Sequence, residues 1–295
     1  MVKPIFKGCG TAIVTPFTEN GIDFESFEKL IEFQISQGAD SIIVCGTTGE
    51  SATMTENEKK SVIKFATSIV NKRIPVIAGT GGNCTQSVVS MSRYAEEAGV
   101  DGLLIVTPYY NKTTQEGLIS HYSTVAVRTS LPIILYNVPS RTGLNILPKT
   151  CKKLSEIENI VAIKEASGNI SQIAEISTLC GNSLAIYSGN DDLILPVLSL
   201  GGLGAISVIS NIIPNDVHKM IEYYFTGNIN NSLKIQLAIF PLVKALFSEV
   251  NPIPIKFALN KLGFKVGSPR LPLIEMSQKG QELLCNELKK YGLIN

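Results

Sequence analysis

Residues 160–163 read Ile-Val-Ala-Ile, a short, wholly apolar run in which three of four side chains are β-branched. Seven similar runs occur along the chain, and a segment with helical periodicity separates each run from the next. The eight runs are residues 11–15, 41–44, 75–78, 102–106, 132–135, 160–163, 184–187 and 205–208. This alternation, with strands that are apolar along their length, predicts a parallel sheet covered by helices on both faces.

The number of repeats favours a closed sheet. Eight strand–helix units within roughly 220 residues fit a (β/α)8 TIM barrel, whose usual size is about 250 residues. A doubly wound open sheet is the alternative, because spacing alone does not show whether a sheet closes. We therefore predict a barrel over residues 1–226 and a C-terminal helical extension over residues 227–295. The last four helices are predicted over residues 216–225, 230–248, 254–262 and 277–291.

The composition indicates a compact protein whose surface carries little charge. The 295 residues include 26 Lys and Arg and 25 Asp and Glu, for a formal net charge of +1. No strong field therefore draws the protein to nucleic acid or to an anionic membrane. Only 17% of the residues are charged and 44% are hydrophobic, so we expect part of the surface to be buried between subunits of a homo-oligomer.

Cysteine spacing and the N-terminus predict a cytoplasmic protein. The six cysteines stand 29 or more residues apart with no histidine at ligand spacing, so we expect reduced thiols and no metal site. The apolar run over residues 11–14 is too short for a signal peptide. The longest charge-free stretch, residues 193–215, contains two prolines and several polar residues, so a buried turn and strand explain it better than a membrane span.

Functional residues of such a barrel lie at the carboxyl ends of its strands. The second run is followed by Gly46-Thr47-Thr48-Gly49-Glu50-Ser51, whose hydroxyl and backbone N–H groups suit a small anion such as a carboxylate. Thr55 and Glu58 are expected to form a capping box at the start of the next helix. An ordinary strand-to-helix turn with its caps is the alternative to an anion site. The glycine-rich residues 79–83 lack the spacing of a nucleotide-binding loop, and Asn83 or Thr85 is expected to cap the following helix.

Phenols and one arginine follow the fourth and fifth runs. Tyr109, Tyr110 and Tyr136 offer groups that both donate and accept protons, which suits a proton relay. Packing at the rim of the barrel is the alternative for any single tyrosine. Arg141, in a loop restrained by proline and glycine, can bind a carboxylate with two hydrogen bonds, and a solvated loop charge is its alternative.

Lys164 is the most informative residue of the sequence. It follows the sixth run, and alternation places residues 160, 162 and 164 on the face that points into the barrel. Desolvation favours the neutral amine, which can attack a carbonyl carbon and form a Schiff base. Glu165 faces the opposite way and is a poor ion-pair partner. The competing candidate, Lys256, is expected to extend its ammonium from a helix surface into water.

Two other classes of site are disfavoured. Asp191 and Asp192 follow the seventh run and would repel a phosphate group, so we expect a substrate without phosphate. His121 and His218 are 97 residues apart and form no metal-ligand spacing.

Four motifs, in order at four strand ends, together resemble the dihydrodipicolinate synthase family of the N-acetylneuraminate lyase superfamily. They are residues 46–51, 106–110, 136–143 and 163–168, and residues 251–254 extend the likeness into the C-terminal helices. The resemblance implies a TIM-barrel lyase that condenses pyruvate with L-aspartate 4-semialdehyde to 4-hydroxy-tetrahydrodipicolinate, in lysine and diaminopimelate biosynthesis. It also implies a Schiff-base mechanism that requires no cofactor.

The resemblance assigns a role to each matching residue. Lys164 matches the lysine that forms the Schiff base with pyruvate. The matching proton-relay residues are Thr47, Tyr136 and Tyr110, the last supplied by a neighbouring subunit. The matching substrate-binding residues are Thr48 for the pyruvate carboxylate, Arg141 for the semialdehyde carboxylate, and Gly189 and Ile206 for backbone contacts in the pocket.

The resemblance further implies a homotetramer built from tight dimers, with an effector site at the dimer interface. The positions that match this effector site are Asn83, Tyr109, Glu56, Lys59 and Ser87. Glu56 and Lys59 replace two histidines, and Ser87 replaces the glutamate that would pair with the amino group of lysine. We therefore predict weak or absent inhibition by lysine.

Two alternatives remain open from the sequence. One is another pyruvate-dependent aldolase of the superfamily, such as a sialic acid or keto-deoxy-sugar acid lyase. The other is a non-catalytic member that binds a keto acid.

Overall fold

Eight parallel strands close into a barrel in the computed structural model, which describes residues 3–295. The strands are β1 Gly8–Ala12, β2 Ser41–Val44, β3 Val76–Gly79, β4 Gly102–Val106, β5 Ile133–Asn137, β6 Ile160–Glu165, β7 Ala185–Ser188 and β8 Gly204–Ser207. Each strand pairs with the next, and β1 pairs with both β2 and β8. The predicted (β/α)8 barrel is confirmed, and the open doubly wound sheet is wrong.

Helices surround the barrel and continue after its last strand. The helices are α1 Phe24–Ser36, α2 Glu56–Val70, α3 Thr85–Glu97, α4 Gln115–Ala126, α5 Pro148–Leu154, α6 Ile170–Cys180, α7 Ile194–Ser199, α8 Pro214–Phe225, α9 Ile229–Leu246, α10 Ile253–Lys261 and α11 Gln278–Tyr291. A short hairpin, Phe17–Thr18 with Gly21–Ile22, precedes α1, and one helical turn, Pro139–Thr142, precedes α5. The division of the chain at residue 226 into barrel and extension stays a prediction.

The predicted cap of α2 is confirmed and that of α3 is wrong. Thr55 Oγ1 accepts from the Glu58 N–H at 3.2 Å, and Glu58 Oε2 accepts from the Thr55 N–H at 2.8 Å, which completes a capping box. The N-cap of α3 is Cys84, whose side chain makes no capping hydrogen bond. Thr85 is already helical, and its hydroxyl pairs with His121 Nδ1 at 2.9 Å instead.

Strand β1 begins three residues earlier than its β-branched pattern indicates. Gly8 pairs with Gly204 in the barrel, and a Cβ added at Gly204 would overlap the Gly8 carbonyl. Close approach of two backbones requires glycine here, and glycine carries no strand signal of its own.

A register irregularity between β5 and β6 changes which residues face the barrel interior. Ile133 pairs with Ile160, but Ile134 pairs with Ala162, so Val161 is an extra residue in β6. Ile160 consequently packs in the outer core between sheet and helices, while Ala162 packs in the inner core. The expectation that residues 160, 162 and 164 share one face is wrong for residue 160.

Apolar side chains from most strands fill the interior of the barrel. This inner core contains Phe6, Ala12, Ile43, Ile77, Leu104, Ile134, Tyr136, Val138, Val161, Ala162, Tyr187 and Ile206. Among residues 3–295, no helix combines the length and the apolar character that a membrane crossing requires.

Candidate active site

Lys164 lies near the carboxyl end of β6 and opposite Tyr136 of β5. The two residues are register partners, and Lys164 Nζ lies 4.4 Å from the centroid of the Tyr136 ring. Lys164 is 5% exposed and Tyr136 is 7% exposed, so both are almost removed from water. Strand β6 continues to Glu165, which places Lys164 within a strand rather than after it.

Gly189 closes the pocket on the other side of Lys164. A Cβ at this position would lie 3.1 Å from Lys164 Cε and 2.7 Å from Ala166 Cβ. Only glycine leaves the lysine stem this space. The Gly189 N–H donates to the Glu165 carbonyl at 2.8 Å, and Ile206 is fully buried in the inner core nearby.

The turn after β2 is held by contacts from distant parts of the chain. Glu50 has a left-handed backbone with φ of 56°, and its N–H donates to the Thr47 carbonyl at 3.0 Å. Thr15 Oγ1 donates to the Gly49 carbonyl at 2.8 Å. Thr48 is 2% exposed, and its Oγ1 accepts from Asn251 Nδ2 at 3.0 Å.

Two cavities share Thr47 as a lining residue, together with Ser51, Gly81 and Val106. A small cavity of about 40 Å³ is lined by Thr47 and Tyr136 together with residues at the ends of β2, β3 and β4. A larger cavity of about 530 Å³ is lined by Thr47, Tyr109, Tyr110 and Arg141. Thr47 therefore joins the buried end of the site, beside Tyr136, to its open end.

Arg141 sits on the wall of the larger cavity. Its guanidinium donates to the Asn251 carbonyl at 3.1 Å, and the Asn251 side chain bonds Thr48 as described above. The segment before α10 thus contacts two residues that the sequence singled out for carboxylate binding. The resemblance included Asn251 through residues 251–254, but the sequence predicted neither contact, because both join residues more than one hundred positions apart.

Tyr110 is placed differently from Tyr136. Its side chain is 92% exposed, and its backbone is left-handed with φ of 67°. The subunit therefore directs this phenol away from its own core at the mouth of the larger cavity.

Lys256 is fully buried, and the predicted solvent-directed ammonium is wrong. Its Nζ lies 2.8 Å from Glu50 Oε1 and donates to the Ser268 carbonyl at 3.1 Å. Burial lowers the pKa of Lys256, and the Glu50 carboxylate opposes this effect. The chain after α10 folds back over this helix, which removes the water that the side chain would otherwise reach. Glu50, the only acidic residue in the turn after β2, was the sequence feature that could have indicated an ion-pair partner for Lys256.

The positions matched to the effector site lie together. A cavity of about 180 Å³ is lined by Ser51, Gly81 and Cys84, and also by all five matched residues, Asn83, Tyr109, Glu56, Lys59 and Ser87. Glu56 pairs with Lys60 at 2.6 Å.

Among residues 3–295, no group of three or more His, Cys, Asp or Glu side chains is arranged to hold a metal ion.

Comparison with known proteins shows one family along the whole fold. The model of the dihydrodipicolinate synthetase family matches residues 5–291. A 4-hydroxy-tetrahydrodipicolinate synthase of Acetivibrio thermocellus is 56% identical over 294 residues and covers 100% of both chains. A 4-hydroxy-tetrahydrodipicolinate synthase 1 of Clostridium acetobutylicum is also 56% identical, over 98% of this chain and 99% of its own.

A solved structure of similar sequence has the same fold. The crystal structure of dihydrodipicolinate synthase from Thermotoga maritima superposes with a TM-score of 0.97 at 45% identity. The match covers 99% of this chain and 100% of that chain.

Proposed function

Because the chain belongs to the dihydrodipicolinate synthetase family, we propose that Lys164 forms a Schiff base with the ketone carbon of pyruvate. The chain is a lyase with 4-hydroxy-tetrahydrodipicolinate synthase activity, which condenses pyruvate with L-aspartate 4-semialdehyde. The observation that carries the proposal is the buried Lys164 amine beside Tyr136 at the carboxyl end of β6.

The reaction begins at the amine. Neutral Lys164 attacks the ketone carbon of pyruvate, and loss of water gives an iminium. The iminium withdraws electrons from the neighbouring methyl group, which loses a proton and becomes the nucleophilic carbon of an enamine. This carbon attacks the aldehyde of the second substrate. The amino group of that substrate then attacks the iminium carbon, which closes the ring and releases Lys164.

Three hydroxyl groups move the protons in this scheme. Tyr136 lies beside the Lys164 amine, and Thr47 joins the Tyr136 cavity to the open cavity. Tyr110 of a neighbouring subunit completes the relay, and its 92% exposure supports a partner that covers it. Hydroxyl groups suit this task because each accepts one proton while it donates another.

The carboxylates of the two substrates are held separately. Thr48 and its turn hold the pyruvate carboxylate, and Arg141 holds the semialdehyde carboxylate at the wall of the larger cavity. Gly189 and Ile206 shape the pocket through backbone contacts. The guanidinium suits this role because its planar N–H groups bind a carboxylate with two hydrogen bonds.

The synthase is favoured over the sugar-acid lyases of the superfamily. The curated relatives at 56% identity are named as 4-hydroxy-tetrahydrodipicolinate synthases. Turnover with aspartate semialdehyde and no turnover with sialic acid is the expected result of a direct comparison.

Borohydride trapping tests the assignment of Lys164. The protein is incubated with pyruvate, reduced and digested, and the added mass is located by peptide mapping. A reduced pyruvyl group on Lys164 is expected, and Lys164→Met should carry none. Lys29→Met is the control because it removes an exposed lysine outside the site and should retain the adduct on Lys164. An adduct at a different residue, or bound pyruvate with no adduct, would contradict the mechanism and favour the non-catalytic alternative.

Regulation and assembly complete the proposal. Lysine is proposed to inhibit weakly or not at all, because Ser87 replaces the acid that would pair with its amino group and the Glu56 carboxylate already pairs with Lys60. Millimolar lysine should leave turnover unchanged, and abolished turnover would refute this.

The proposed assembly is a cytoplasmic homotetramer of tight dimers. Six free thiols support a reducing compartment, and an exposed apolar face of α9 supports a second subunit interface.

A further inference from the structure

We propose that Glu165 is a positioning residue that locks the register of β6 against β5 and thereby holds Lys164 opposite Tyr136. The inference rests on the proposed role of Lys164 as the Schiff-base residue. Glu165 itself faces away from the barrel interior, so it acts through the strand and not on the substrate.

The pairing of β5 with β6 at Tyr136 and Lys164 needs contacts close to the site to fix its register. Before the site, Ile133 pairs with Ile160 and Ile134 pairs with Ala162, so Val161 has no register partner on β5. Pairing before a bulge does not determine pairing after it, because one strand contributes an extra residue. A slip of one residue would turn Lys164 out of the barrel and leave no amine beside Tyr136.

Glu165 supplies contacts that exist in one register only. Asn137 and Glu165 are register partners, directly after the pair formed by Tyr136 and Lys164. Glu165 Oε2 accepts from Asn137 Nδ2 at 2.8 Å and from Gln172 Nε2 at 3.2 Å, and Oε1 accepts from the Ser167 N–H at 2.6 Å. Glu165 is 1% exposed, so a slipped register would bury the carboxylate without these donors, which is costly.

The direction of the hydrogen bonds in this network is set by the backbone. Asn137 Oδ1 accepts from the Ile146 N–H at 2.9 Å, so Asn137 must turn its amide N–H₂ toward Glu165. The same nitrogen donates to Asn145 Oδ1 at 2.8 Å, and Asn145 Nδ2 donates to Gln172 Oε1 at 2.7 Å. Both carboxylate oxygens of Glu165 therefore face N–H donors, so the side chain at position 165 must offer two acceptor atoms.

Backbone contacts carry the same restraint into the site. The Glu165 carbonyl accepts from the Gly189 N–H at 2.8 Å, and the Ala166 N–H donates to the Asn137 carbonyl at 2.9 Å. Gly189 is the residue whose missing side chain makes room for the Lys164 stem. Fixing Glu165 thus fixes both neighbours of Lys164, on β5 and after β7.

The first test is Glu165→Gln, which keeps the shape but turns an N–H₂ group toward a donor. We expect kcat and the rate of borohydride-trappable adduct formation at saturating pyruvate to fall together by about 10- to 100-fold, since small misplacements of reacting groups have such effects. Both rates are measured well below the melting temperature of each variant. A merely structural role would lower the melting temperature and leave the trapping rate of the folded protein unchanged.

The second test reverses the polarity of the pair. In Asn137→Asp with Glu165→Gln, the new amide donates to the new carboxylate, which still accepts from the Ile146 N–H. We expect the double variant to recover at least about 10-fold over the slower single variant, because contacting residues couple in double-mutant cycles. Asn137→Asp alone should be slow, since two carboxylates then face each other.

Glu96→Gln is the matched control. Glu96 accepts from the Ser130 N–H at 3.0 Å and from Thr129 Oγ1 at 2.9 Å, at the end of α3 far from Lys164 in the fold. Its trapping rate should equal that of the wild type. Glu165→Gln with unchanged trapping, or a double variant no faster than the slower single variant, would overturn the role of Glu165. A wild-type protein without any Lys164 adduct would overturn the proposed function first, and this inference with it.

Discussion

At the scale of single residues, the site depends on which side of β5 and β6 each side chain occupies. Tyr136 and Lys164 face inward and are buried, while Asn137 and Glu165 face the surrounding helices. Alternation along a strand separates the reacting pair from the supporting pair. The reacting residues and the residues that hold them in place are therefore neighbours in sequence but lie on opposite faces of the sheet.

The Tyr136 hydroxyl should be needed for proton transfer and not for formation of the Schiff base. We expect Tyr136→Phe to lower kcat by about 100-fold, the usual scale of general acid–base catalysis, while pyruvate is still trapped on Lys164. Steady-state kinetics and borohydride trapping measure the two steps. Tyr122→Phe is the control, because Tyr122 of α4 donates its buried hydroxyl to the Ile105 carbonyl at 3.1 Å outside the site. Equal kcat values for wild type and Tyr136→Phe would argue against the relay.

At the scale of elements, the C-terminal helices brace the turn after β2. Lys256 of α10 pairs with Glu50, and the Arg270 N–H donates to the second Glu50 oxygen at 2.8 Å. The Arg270 guanidinium lies over Phe17 and pairs with Glu58 of α2 at 2.6 Å. These contacts hold the turn that contains Thr47 and Thr48, so the extension contributes to the site without lining its reacting end.

The buried ion pair should be costly to break from one side. We expect Lys256→Met to lower the free energy of unfolding by roughly 3–5 kcal/mol, because Glu50 then remains buried without its cation. Adding Glu50→Gln should recover much of this loss, since the remaining charge is removed. Chemical denaturation measures both changes. The control is Lys29→Met, which breaks a solvent-exposed pair with Glu25 and should change the free energy of unfolding far less. Similar losses in Lys29→Met and Lys256→Met would contradict this account.

The Glu58–Arg270 contact should contribute to stability in acid. Hydrogen bonding to Arg270 lowers the pKa of Glu58 from 4.5 to about 2. The folded pKa lies below the unfolded one, so this contribution is complete above pH 4.5 and is lost as the pH falls toward 2. Glu58→Gln should lower the melting temperature at pH 7 and differ progressively less from wild type in acid. Glu116→Gln, on the exposed side of α4, is the control, and a constant difference at all pH values would refute the assignment.

At the scale of the whole molecule, α9 presents an apolar face that the subunit does not cover. Exposed side chains recur at helical spacing along it, namely Ile229, Leu233, Leu237 and Phe240, and Phe247 follows directly after the helix. Contiguous apolar surface of this kind is typical of a subunit interface and supports the proposed assembly, with which the low charge of the chain agrees. Tyr110 lies elsewhere on the subunit, at the mouth of the larger cavity, so two different surfaces are available for two interfaces.

A charge on α9 should separate the proposed tetramer into dimers. Leu237 is 63% exposed, and Leu237→Asp would place a carboxylate in a desolvated interface, which is unfavourable. Sedimentation velocity should show a tetramer for the wild type and a dimer for this variant. Val127→Asp is the control, because Val127 is 76% exposed at the end of α4 and away from the α9 face. A tetramer that persists in Leu237→Asp would place the interface elsewhere.

Local sequence pattern and long-range tertiary contacts determined different features of this protein. Local pattern determined the repeat of strands and helices, the inward Lys164 and the cap at Thr55, because each depends on residues close in sequence. The number of repeats favoured a barrel, but its closure is the pairing of β1 with β8, which only the tertiary structure decided. Tertiary structure alone decided the start of β1 at Gly8, the bulge at Val161 and the burial of Lys256. Each of these depends on contacts between distant segments: a backbone approach at Gly204, the β5–β6 pairing, and the fold-back over α10. Periodicity records the face that a residue prefers, but only packing determines which distant partner meets it there.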